Sequence, residues 1–157
     1  MTKSIFHTCA ILALALMGSH TVLAQDANSI VGTWDISVTV KNCSTGAVIR
    51  TVRSIQMFSQ DGSLAETANT FLRGSSLGSW DRTSGETYNA KFWFFRYTPT
   101  GTFASFAQAL DSVTLSDDGN TFTASGTIQD FDASNNLIST GCFTHSATRL
   151  TATPRGH

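Results

Sequence analysis

The sequence predicts an all-β protein: an eight-stranded up-and-down antiparallel β-barrel, with no substantial helix after an N-terminal leader. Three observations predict it. The run Gly32-Thr33-Trp34-Asp35-Ile36-Ser37-Val38-Thr39-Val40 alternates large apolar with small polar side chains. That period of two is the mark of a strand with one buried and one wet face. Eight such extended runs follow one another through short turns, and none has a helical period. A meander of this length leaves two unpaired edges unless it closes. Eight strands is also the size at which a closed barrel either fills with side chains or holds one small ligand.

The chain opens with Met1 and Lys3, an apolar segment from Ala10 to Met17, and a small-residue end at Val22-Leu23-Ala24. These are the parts of a secretory signal peptide, with cleavage expected after Ala24. The apolar segment is too short for a membrane span, and Cys9 lies inside it rather than at its end, away from any lipid-anchor position. The expected organisation is a signal peptide over 1–24, a loose lead-in over 25–31, one barrel domain over 32–151 and a frayed tail over 152–157. The exported chain has no second long apolar run, so stable membrane insertion is not expected.

The charges are few and balanced, with 10 Lys and Arg against 11 Asp and Glu. That excludes a strongly basic nucleic-acid face. Ser and Thr are abundant, Lys is scarce, and Pro occurs only at Pro99 and Pro154. The enrichment in β-branched and aromatic residues favours strands over helices.

In chain order, the first strand runs from Trp34 to Lys41, and Cys43-Ser44-Thr45-Gly46 turns the chain. Val48 to Ser59 is the second run, its alternation blurred at Arg50 and Arg53, where a bulge is expected. Asp61-Gly62 is a tight-turn signal. Leu64 to Phe71 is the third strand, Arg73 to Gly78 a flexible loop, and Ser79 to Thr83 a short fourth strand. After Ser84-Gly85 comes the most aromatic stretch, Thr87 to Thr98. Phe103 to Leu115 is the sixth strand, Asp117-Asp118-Gly119-Asn120 a turn, and Phe122 to Phe131 the seventh. Ala133 to Asn136 turns the chain into the last strand, Leu137 to Leu150.

Closure can be read from the two ends. Pairing Trp34 with Arg149, and Cys43 with Cys142, falls within one two-residue step of a single antiparallel register. Removal of Cys9 with the leader leaves Cys43 and Cys142, which in an exported protein are expected to form one disulfide. Closing a loop of about a hundred residues stabilises by roughly 4–5 kcal/mol in the chain-entropy account.

Gly32, Thr33 and Trp34 at the start of the first strand, with Arg149 near the end of the last, resemble the signature of the calycin superfamily, the lipocalins, fatty-acid-binding proteins and avidin-like proteins. The resemblance implies structural roles for Gly32, Trp34 and Arg149. The Trp closes one end of the barrel and a basic residue packs across it, and a guanidinium on an indole face is worth roughly 0.5–2 kcal/mol. Trp80 and Trp93 are similar in kind to the ligand-lining tryptophans of avidin-like proteins. The chain departs from lipocalins in its short first turn, its lack of a late Thr-Asp-Tyr-like motif and its lack of a helix after the barrel. Its general look resembles small exported bacterial barrels.

His145 shares its strand parity with Phe143, Ala147 and Arg149, so it faces the lumen if Arg149 does. There it orients a ligand, acts as an acid or base, or serves as a hydrogen-bonded structural group. The expected ligand-lining set is His145, Phe92, Phe94, Tyr88 and Phe143. Asp130 and Asp132 lie at a strand end; Asp117 and Asp118 are explained by turn chemistry. Glu66, Arg53, Arg96 and Asp111 either line a pocket or face water. His157 on the tail carries no expectation. No Cys/His/Asp cluster has metal-ligand spacing, and no cofactor, phosphate-loop or nucleophile motif is present, so no catalytic residue, metal or cofactor is assigned. The aromatic stretch is apolar on both parities, so its outer face needs cover from the Arg73–Gly78 loop, from a partner protein or from a second copy in a homodimer.

Three functional readings follow. The first is an exported lipocalin-like barrel binding a small, mostly apolar ligand. The second is a cyclase or isomerase that steers its substrate by shape, in the manner of allene oxide cyclase or dirigent proteins. The third is a ligand-free barrel that oligomerises or binds a partner.

Overall fold

A computed structural model of the chain describes residues 29–151. The expected signal peptide, most of the lead-in and the tail lie outside them. The described chain forms strands β1 (Gly32–Lys41), β2 (Val48–Phe58), β3 (Ser63–Ala68), β4 (Ser76–Ser84), β5 (Thr87–Tyr97), β6 (Phe103–Leu115), β7 (Thr121–Phe131) and β8 (Leu137–Leu150). Each pairs antiparallel with its sequence neighbour, and β8 pairs with β1, so the sheet is a closed barrel. This topology is consistent with a calycin-like fold. Among the described residues no helix is long and apolar enough to cross a membrane.

The register between first and last strands is unbroken from Thr33↔Leu150 through Trp34↔Arg149 to Lys41↔Cys142. Cys43 lies just past the end of β1 and bridges diagonally to Cys142 with a Cα–Cα distance of 5.1 Å. The diagonal absorbs the two-residue offset that separates the two pairings in the sequence. The disulfide therefore ties the mouth-side end of the closing seam.

The second strand does carry a bulge, though not at Arg53. The β1–β2 register holds from Gly32↔Phe58 to Val40↔Arg50 and then shifts to Lys41↔Val48, so Ile49 is the extra residue. With that phase, Arg50, Val52, Ser54, Gln56 and Phe58 take the inward parity, while Arg53 points out and pairs with Asp35. The third strand ends at Ala68 rather than Phe71, and the fourth begins at Ser76, inside the stretch expected to be loop. The connecting residues gain order by pairing sideways onto β5. Gly74 N donates to Phe95 O, Tyr97 N donates to Leu72 O, and Arg73 bridges to Arg96.

Two glycines show why the turns are where they are. Gly62 has φ 83° and Gly119 φ 67°, values that L side chains rarely adopt. Each follows a turn-forming Asp. Asp61 accepts from Ser63 N at 2.9 Å, and Asp118 from Asn120 N at 3.0 Å.

The core fills the end of the barrel where β1 begins. Trp34 is fully buried and meets Phe122 edge-on at 4.8 Å. Phe58 touches both Phe122 and Trp80, and Trp80 touches Tyr88. The lead-in is not loose where it is described: Ile30 is fully buried, and Trp34 Nε1 donates to its carbonyl at 2.9 Å. Arg149 lies over the Trp34 ring, 4.3 Å from the centroid. Its guanidinium donates to the carbonyls of Gly119, Val31 and Ser29 at 2.6–2.7 Å. Trp34 and Arg149 thus sit together at the closed floor, with Gly32 two residues before Trp34 on β1.

Candidate functional site

Above this floor the inward face changes character. A sealed, purely structural barrel would continue with aliphatic side chains. Here the inward positions carry Glu66, Ser76, Asp111 and His145, all buried. Burying a polar group without a partner costs about 1–3 kcal/mol, so this waist is not built for stability alone.

Arg73 organises one side of it. The residue leaves the β3–β4 connection and sends its guanidinium into the lumen, where it donates to Glu66 and Ser76. Its Cζ lies 3.5 Å from the centroid of the Phe94 ring. Burial pulls the Arg73 pKa below the ordinary arginine value; Glu66 opposes this, and the charges of Arg96 and Arg50 add to it. The sequence pattern makes Arg73 to Gly78 a flexible loop and does not single out this residue. Nothing in a local Gly/Ser-rich pattern signals that a charged side chain turns inward.

Asp111 and His145 organise the other side. His145 Nδ1 lies 3.3 Å from Asp111 Oδ2, with both side chains almost wholly buried. The separation is within ion-pair range, but the alignment is not that of a hydrogen bond, and both Asp111 oxygens and His145 Nδ1 are left without a partner. Burial disfavours charge on both members. It holds Asp111 well above the usual carboxylate range, with Glu66 adding repulsion. It also holds His145 down to about 4, with Arg73 adding to it. Phe143 stacks on the His145 ring at 4.7 Å. Space for this cluster comes from Gly126, where a Cβ would fall 2.1 Å from Leu110 O, 2.7 Å from Phe143 Cζ and 2.9 Å from Asp111 Oδ1.

Between the waist and the mouth lies a cavity of about 60 Å³. Val38, Val52, Phe92, Phe94, Ile128 and Phe143 supply its apolar wall, and His145 and Glu66 its polar end. Of the expected ligand-lining residues, Phe92, Phe94, Phe143 and His145 are placed together at this cavity. Tyr88 is not; it is buried deeper, against Trp80, and belongs to the floor. Arg50, Arg73 and Arg96 stand around the mouth. Arg96 pairs with Asp130, which also accepts from Ser139.

The remaining candidates fall elsewhere. Asp132 and Asp118 accept hydrogen bonds within their own turns, and that holds both below the usual carboxylate range. Trp80 packs in the floor, donating to Ser59 O. Trp93 points outward beneath Lys91 and beside Gln108. Among the described residues no group of three or more His, Cys, Asp or Glu is placed to hold a metal ion.

The outer aromatic face is only partly covered from within the chain. Phe95 is about half exposed and touches Phe103 and Phe106. Its cross-strand row continues from Phe106 to Phe131 and from Phe131 to Leu137.

No protein-family model matches the chain, and no match is found among curated proteins or solved structures.

Proposed function

We propose that the protein is an exported barrel that binds a small, mostly apolar ligand in its lumen. The observation that carries this reading is an apolar cavity with His145 at its polar end, where His145 Nδ1 and the oxygens of the neighbouring Asp111 are buried without a hydrogen-bond partner. An enclosed apolar wall with a few convergent polar groups is the usual form of a small-molecule site. Export is supported by the disulfide between Cys43 and Cys142, which suits an oxidising compartment. The test is native mass spectrometry of the protein purified from its own host without denaturation. A co-purifying small molecule, released on unfolding, is the expected result. A mass equal to the bare chain, together with failure to take up any of a panel of small apolar compounds, overturns the reading.

A second reading, a homodimer or partner-binding barrel, is favoured by the outward row Phe95, Phe106, Phe131 and Leu137. The same native spectrum separates the two, because a ligand-free dimer mass supports only the second.

A further inference from the structure

We infer that the ligand of this lumen carries an anionic head group, held at the mouth by arginine, on a compact apolar body. The inference rests on the lumen-binding reading above and assigns the ligand's class.

The mouth holds an unbalanced cation. Arg50, Arg73 and Arg96 line both the cavity and an adjoining vestibule of about 200 Å³, which also shares Thr70 with the cavity. Glu66 is paired with Arg73 and Asp130 with Arg96. Arg50 makes no ion pair or hydrogen bond among the described residues, although its inward parity on β2 sets it at the wall of the cavity. No acidic residue lines the vestibule. Deeper in, Asp111 faces His145 and lines neither the cavity nor the vestibule.

The consequence is chemical selectivity. Three guanidinium groups around a partly enclosed opening repel one another, and an anion placed among them relieves that repulsion while accepting hydrogen bonds from Arg50 and from the Thr70 hydroxyl. Guanidinium groups suit carboxylate, sulfonate and phosphate heads alike. The apolar part then lies against Phe92, Phe94 and Phe143, and the small volume limits it to a ring or a short branched chain.

The experiment is isothermal titration of the disulfide-bonded barrel with phenylacetate, with its neutral amide phenylacetamide, and with inorganic phosphate alone, at low and at about 0.5 M salt. The expected result is that phenylacetate binds at least tenfold tighter than the amide at low salt. The gap narrows in high salt, as screening requires, and Arg50→Gln narrows it by at least threefold. Arg50 is exposed, so this variant is expected to fold. Equal binding of acid and amide overturns the anionic head while leaving lumen binding intact. Phosphate binding as tightly as phenylacetate overturns the apolar body. Failure of both organic probes overturns the compact-anion assignment, and native mass spectrometry then decides the lumen reading separately.

Discussion

Asp111 and His145 face each other across 3.3 Å inside the barrel, almost wholly buried. Their pKa values move in opposite directions for one reason. Loss of water raises the carboxyl and lowers the imidazole, because each is disfavoured in its charged form.

His145 makes a signed prediction about pH. Its folded pKa of about 4 lies below its unfolded value of about 6.5. The stability it contributes is therefore present above pH 6.5 and is lost as pH falls toward 4. Asp111 has the opposite sign: burial raises its pKa, so its contribution is present at low pH and is lost as pH rises. Asp111→Asn removes this opposing group and leaves only His145. The variant's own stability is expected to fall by about 2 kcal/mol between pH 7.5 and pH 5, several degrees in Tm, and the parent's by less. Thermal unfolding of both proteins at the two pH values checks this; parallel profiles would contradict it.

Arg149 covers the Trp34 ring and donates to three backbone carbonyls from two separate segments, the lead-in and the turn between β6 and β7. Arg149→Ala removes the cation–π contact and strands those carbonyls. A loss of about 2–3 kcal/mol is expected in urea unfolding, with the m-value unchanged. Arg149→Lys restores the charge but not the fork of donors, and should recover less than half of the loss.

At Gly126 a methyl group would collide with a backbone carbonyl as well as with Phe143 and Asp111. The carbonyl belongs to the β6–β7 ladder and cannot withdraw. Gly126→Ala is expected to cost about 3 kcal/mol, at the upper end for overpacking, and to displace Phe143 from His145. The loss shows as a lower Tm, and the displacement as altered ring-current shifts on the His145 ring protons.

Gln56 is fully buried, and neither its amide oxygen nor its nitrogen has a partner. Gln56→Met keeps the length and removes the unmet polar atoms, so it should stabilise the barrel by about 1–2 kcal/mol. A destabilised Gln56→Met would show that the amide is satisfied in solution by ordered water.

Much of this architecture was legible in the sequence. Alternation is a local property, and it placed all eight strands, with the largest errors where pattern was weak, at the end of the third and the start of the fourth. The ring closure was legible as well, because Trp34 with Arg149 and Cys43 with Cys142 lie on nearly one register. Parity also grouped Phe92 with Phe94 and Phe143 with His145, which meet at one cavity.

Only the tertiary structure decided what meets across the lumen. Glu66, Arg73, Asp111 and His145 come from four separate places in the chain, and their convergence depends on the register between neighbouring strands around the closed sheet. Register sets the phase of each strand against the others, and a period of two says nothing about it. The inward turn of Arg73 and the unmet amide of Gln56 belong to the same class. By itself the sequence determined the strands, their order, the floor and the disulfide, since each rests on local pattern or on one pairing register. The charged waist and the cationic mouth arise from closure, which brings distant side chains into a space that water has largely left.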